Sequence, residues 1–160
     1  MPFDPRDAEE KAWTDEFSSR LEHVGFPPVV GRILAWLMIC VPPEQSSAHL
    51  AEHCKASKGA VSGGTRMLIA AGLVERQRKP GDRAAYFRIC EDAWSYLLHA
   101  EVLKARMNLQ LAEQGLALLA DATPAHRRRL QEFYEFNQFF ERELPALVER
   151  WDALWKEKSP

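Results

Sequence analysis

"SSAHLAEHCKASKGAVSGGTRMLIAAGLVERQRKPGDRAAYFRI", Ser46–Ile89, decides how this chain folds. Ser46 or Ser47 can cap a short helix that runs to about Cys54. Only "KA" separates that helix from Ser57, which can cap the next one. Gly72 ends this second helix as a glycine just past its last turn. Two short helices so tightly joined must cross steeply, as in a helix-turn-helix. Leu73–Gln77 and Ala85–Ile89 then read as two strands around the turn "KPGD". Yet Gly59, Gly63 and Gly64 lie inside the second helix, where each glycine costs up to about 1 kcal/mol relative to alanine. Some surface must need that helix bare.

A helical wheel sorts the segment into two sides. Val61, Met67, Leu68 and Ala71 fall on one, with Thr65 beside them, and predict the core stripe. Ser57, Lys58, Gly59, Ser62, Gly63 and Arg66 fall on the other. This open side is small, hydroxylated and basic, and the helix holds no acid. Such a face suits close approach to phosphates and base edges. Glycine lets the backbone near, serines and free amides donate to phosphate, and Arg66 can reach phosphate or a guanine. A poorly made helix that merely packs is the alternative.

Charge agrees with the first reading. The chain carries −2 overall, but Lys55–Cys90 holds eight basic residues against Glu75 and Asp82. That segment is +6 and the remainder −8. Localised charge of this kind points to a polyanionic partner, although a solvated basic face has the same composition. Arg78, Lys79, Arg83 and Arg88 decorate the hairpin. A basic ribbon beside a groove-reading helix can place a cation in the adjacent minor groove.

The flanks read as helices. Asp4 and Pro5 start the first, with a stripe at Ala12, Trp13, Glu16, Phe17, Arg20, Leu21 and Val24. The second, about Val29–Val41, is apolar nearly all round and predicts burial. "VPPEQ" stops it. Beyond the hairpin, Leu98, Val102, Ala105, Leu109, Ala112, Leu116 and Leu119 alternate by four and three, a heptad seam. After "DATPAH", Thr123 and Pro124 open a last helix. Its seam is expected at Phe133, Phe136, Phe140, Glu143 or Leu144, Leu147, Trp151 and Leu154, with a possible kink at Pro145.

With these residues in view, the chain resembles the MarR-type winged-helix transcriptional regulators, and within them the GbsR-like branch. The resemblance covers roughly residues 20–100 and is best in "SKG-VS" and "GLVER…KPGDR-Y". It implies a homodimer that binds double-stranded DNA through the second helix and the wing, often under a small ligand. The Gly63–Gly64 pair departs from the pattern, where bulkier or polar residues are expected, and shifts readout toward DNA shape.

The expected fold is mainly α: a winged helix-turn-helix, with a three-helix core and a two-stranded β wing, between long dimerisation helices at both ends. The expected divisions are 1–26 (dimerisation helix), 27–91 (DNA-binding domain) and 92–160 (C-terminal dimerisation region). DNA contacts are expected from Ser57, Lys58, Gly59, Ser62, Gly63, Arg66, Arg78, Lys79 and Arg83. The function expected is a sequence-specific regulator, a repressor, acting as a homodimer on an inverted repeat. The alternative is a winged-helix protein–protein adaptor.

Other features are weaker. His49 and His53 share a helix face, but no third metal ligand is evident, so no metal or cofactor is expected. Cys40, Cys54 and Cys90 are an odd number in unrelated contexts, which suits a reducing cytoplasm. Cys40 and Cys90 read as core hydrophobes. The aromatic residues can pack, or hold a quaternary ammonium effector. "HRRRL" (126–130) is basic and reads as a solvated face. No nucleophile–base grouping or phosphate loop stands out, so no enzyme is expected. The longest apolar run, Ile33–Val41, falls short of the ~20 residues that span a bilayer, and the acidic N-terminus implies no export.

Overall fold

The computed structural model describes residues 5–158. Its elements are α1 (Pro5–His23), α2 (Pro28–Ile39), β1 (Gln45–Ser46), α3 (Ser47–His53), α4 (Lys58–Ala70), β2 (Val74–Arg78), β3 (Ala85–Ile89), α5 (Ala93–Leu118) and α6 (Pro124–Lys158). They form two compact units, one ending at Ala93 and one starting at Trp94. The cap expected at Asp4 lies outside the described residues.

The first unit is built round α2, whose Val30, Ile33, Leu34, Ala35 and Leu37 are buried. Leu50 of α3, Val61 and Leu68 of α4, Val74 of β2 and Phe87 of β3 complete the core. α2 ends at Ile39 rather than Val41, because the following prolines forbid another turn. The β2–β3 hairpin forms the expected two-stranded wing, and a third strand joins its sheet: β1 pairs antiparallel with β3, in the order β1-β3-β2. A strand of two residues has no alternation to read. β2 also starts one residue late, at Val74. Leu73 still belongs to the helix end, where its amide donates to Leu68 O and that of Gly72 to Ile69 O. These bonds make a Schellman motif around left-handed Gly72 (φ 71°).

The turn between α3 and α4 uses the same motif. Lys55 N donates to Glu52 O and Ala56 N to Ala51 O. Here the left-handed position (φ 48°) is held by Lys55, where glycine is usual.

α1 covers α2 with an unexpected face. Thr14 and Ser18 are buried, while Trp13 is exposed. The reason is close approach: a Cβ on Gly31 would lie 2.7 Å from Ser18 Cα. Ser18 Oγ donates to Pro28 O at 2.8 Å, so small polar residues fit at the closest approach, while Phe17 and Leu21 of the predicted stripe are half-buried.

In the second unit, α5 keeps its predicted seam. Ala105 and Ala112 are buried, and Leu98, Val102, Leu109, Leu116 and Leu119 half-buried. On α6 the predicted seam holds only in part: Phe140, Leu144 and Trp151 are half-buried, but the rest of the covered line is different. The covered line runs Leu130, Tyr134, Asn137, Glu141, Leu144, Val148 and Trp151. Phe136, expected in the seam, is 58% exposed, and Phe133, Leu147 and Leu154 are exposed too. The real seam contains Asn137 and Glu141, which weaken its apolar signal. Asn108 Nδ2 donates to Asn137 Oδ1 at 3.0 Å, and Arg106 Nε lies 3.3 Å from Glu141 Oε1. Ser95 Oγ donates to Asp152 Oδ1 at 2.6 Å, with His99 Nε2 3.2 Å from the other oxygen. Gly115 admits Leu130, whose Cδ2 would lie 2.7 Å from an added Cβ. α6 continues through Pro145.

Candidate nucleic-acid interface

Ser57 caps α4, its Oγ accepting from Ala60 N at 3.1 Å. The hydroxyl hydrogen stays available to donate. The amides of Lys58 and Gly59 are first-turn groups without a helical partner, beside the positive end of the helix dipole. Ser57, Lys58, Gly59, Ser62 and Arg66 are exposed and Gly63 half-buried, so the predicted open side is open. Arg66 Nε donates to Ser62 O at 3.2 Å, which lays the guanidinium along that side.

The three glycines have different causes. A Cβ on Gly64 would meet Ile33 Cδ1 at 2.9 Å, so Gly64 lets α4 seat on α2. A Cβ on Gly63 would meet nothing within 4 Å, and one on Gly59 only Ser57 Oγ at 3.9 Å. Nothing in the described protein requires Gly63 to be bare. The inner side also needs one correction. Val61, Thr65 and Leu68 are buried, but Met67 is 45% exposed. Thr65 Oγ1 donates to Val61 O at 2.9 Å, a bond that lets a hydroxyl lie in the core.

The wing divides its cations. Arg78 and Arg83 are exposed and show no carboxylate partner among the described residues. Arg88 pairs with Glu75 across the β2–β3 register and lies 3.7 Å from Glu91, so it is spent inside the sheet. The Arg88 hydrogen bond holds the Glu75 carboxyl below its usual range. Lys79 Nζ lies 3.8 Å from Glu44 Oε2 and 4.4 Å from the centre of the Tyr86 ring. Tyr86 Oη donates to Asp82 Oδ2 at 2.7 Å, and Asp82 Oδ1 accepts from Ala84 N at 2.8 Å. These bonds hold the Asp82 carboxyl below the usual range, the Ala84 amide most. Sequence reading missed Glu44, Asp82 and Tyr86. "GD" before a two-residue return is an Asx-turn signal for Asp82; Glu44 carries none.

The remaining candidates resolve into packing. His53 stacks on Trp36, with ring centres 3.5 Å apart, and burial lowers its pKa. Among the described residues no group of three His, Cys, Asp or Glu is placed to hold a metal. Burial pushes the Cys54 thiol up to about 11, and raises Cys40 and Cys90 as well, so none is activated. Trp151 and Trp155 stack with ring centres 5.8 Å apart, and Phe136 and Phe140 lie tilted to one another with centres 4.6 Å apart, along one helix. Among the described residues no helix is long and apolar enough to cross a membrane.

Known proteins agree with this geometry. Residues 24–85 match the MarR family model. Residues 92–154 match that of the MmpR5-like MarR family transcriptional regulators. The chain is 37% identical over 130 residues to the HTH-type transcriptional regulator MmpR5 of Mycobacterium tuberculosis (strain ATCC 25618 / H37Rv), covering 81% of this chain and 78% of that protein. The chain belongs to the MarR family. The crystal structure of a transcriptional regulator, 31% identical, superposes with a TM-score of 0.82, over 91% of this chain and 99% of that one. This MarR-family winged helix is therefore a DNA-binding transcriptional regulator. The models and relatives that match are MarR and MmpR5-like, and none bears the name of the GbsR-like branch.

Proposed function

We propose that a homodimer of this chain represses transcription in the cytoplasm by occupying an inverted-repeat operator. The carrying observation is Gly63: bare, unobstructed, and flanked by Ser62, Lys58 and Arg66 on a helix without an acid. Ser57, Lys58, Gly59, Ser62, Gly63 and Arg66 form the groove-facing side of α4, and Arg78, Lys79 and Arg83 belong to the wing. Twofold symmetry would set the half-sites about one turn apart, ~34 Å.

The dimer is supported by apolar side chains the monomer leaves in water: Leu103, Met107, Leu111 and Leu118 on α5, and Phe136, Phe139 and Leu154 on α6. In the first unit, Trp13 on α1 is exposed as well. Exposed apolar side chains grouped on a helix face mark association surfaces. A small effector would act by favouring dimers whose reading helices no longer match the half-site spacing.

Fluorescence anisotropy with a random-sequence duplex tests the interface. Log affinity should fall linearly with log salt, and Arg66→Ala and Arg83→Ala should each flatten the slope by about 0.9. If neither weakens binding at low salt, the assigned interface is wrong. A salt-insensitive chain would favour the protein adaptor.

A further inference from the structure

The four wing cations are not equivalent. Arg78 and Arg83 point to solvent, Arg88 is spent on Glu75, and Lys79 has an arrangement of its own. Its ammonium sits on the face of Tyr86 and beside Glu44, a residue next to β1 and remote in sequence from the wing tip. The same Tyr86 fixes Asp82 through its hydroxyl, and Asp82 fixes the backbone of Ala84. Arg83 lies between these two anchored residues. Asp82 N also donates to Lys79 O at 3.1 Å, closing the turn across left-handed Gly81 (φ 79°). Lys79 thus faces one carboxylate and one ring that leads to a second carboxylate. The Lys79 charge is already shared with Glu44, whereas Arg83 is exposed and has no carboxylate partner among the described residues.

We propose that Lys79 is a positioning residue: a strut from Glu44 to Tyr86 that holds the wing tip so that Arg83 meets the duplex. Lys79 itself neutralises no phosphate. This rests on the interface reading above and changes the role of one of its members. Arg83 is the wing tip's electrostatic contact, and Lys79 acts only through it.

Salt titration of the full chain on a random-sequence duplex separates these roles. Arg83→Ala should flatten the log–log slope by about 0.9, the signature of one lost phosphate contact. Lys79→Ala should weaken binding about two- to fivefold, the size of an exposed cation–π contact, and leave the slope as in the wild type. In the Arg83→Ala background, Lys79→Ala should change nothing further. Lys79→Arg, which keeps the carboxylate pair and the ring contact, should bind as the wild type does. The strut is overturned if Lys79→Ala flattens the slope by ~0.9, if it leaves affinity unchanged, if its loss multiplies with that of Arg83→Ala, or if Lys79→Arg binds as weakly as Lys79→Ala. A wild-type slope near zero, or no change with Arg83→Ala, would instead overturn the interface reading.

Discussion

The two compact units of this protein treat their apolar residues in opposite ways. In the first, the side chains of α2, α3, α4 and the sheet close on one another, and Ile33, Leu50 and Leu68 are fully enclosed. In the second, α5 and α6 enclose only a narrow seam, part of it polar, and leave a second apolar face in water. Leu118 is 87% exposed and Phe136 58%. The difference teaches that the strongest apolar stripe on a helix need not face its own chain. α1 repeats the lesson, with Thr14 and Ser18 inside and Trp13 outside.

Damage to the two regions should have different consequences. Leu68→Ala should cost about 2–5 kcal/mol of folding stability, read from denaturant unfolding. Phe136→Glu should leave the fold of the unit largely intact and split the proposed dimer. Sedimentation should then give a monomer, and DNA affinity should drop at least ~100-fold, or about 2.7 kcal/mol. If Phe136→Glu unfolds the protein instead, the second unit is not built for a partner.

The same contrast holds within α4. Gly64→Leu should cost about 1–3 kcal/mol by overpacking against Ile33. Gly63→Leu should leave the melting temperature unchanged or higher and weaken DNA binding, since leucine is the better helix former and only the partner is obstructed.

Smaller effects sharpen the picture. Lys55→Gly should raise stability by about 1 kcal/mol, because glycine suits the left-handed helix end. Asp152→Asn should flatten the acid limb of stability. Its carboxyl is held below its usual value of 3.8 by the Ser95 hydroxyl and then by His99. A depressed carboxyl contributes in full above its unfolded pKa and loses that contribution as pH falls through the folded one. Thermal melts from pH 5 downward should therefore converge for the two proteins.

Much of the fold was legible in the sequence because local signals carried it. Ser46 and Ser57 caps, Gly72 and "KPGD" placed the helix-turn-helix and the wing to within about two residues. The alternation from Leu98 to Leu119 placed the covered face of α5. What escaped depends on contacts between distant residues. β1 is defined only by its pairing with Phe87 and Tyr86. Part of the α6 seam escapes because Asn137 and Glu141 do polar work in it, while Phe133 and Phe136 lie outside. The helical wheel puts Met67 on the core side, but a wheel cannot tell how wide the covered arc is. Gly63 and Gly64 looked like one feature. Only packing separates a glycine that admits α2 from one that faces open space.

Gly63→Leu is the most direct measurement, made as a paired melt and DNA titration on the full-length chain. A wild-type or raised melting temperature with affinity reduced at least ~10-fold is expected, a loss of about 1.4 kcal/mol in binding alone. An unchanged affinity in a folded dimer would mean that the bare flank of α4 does not face DNA.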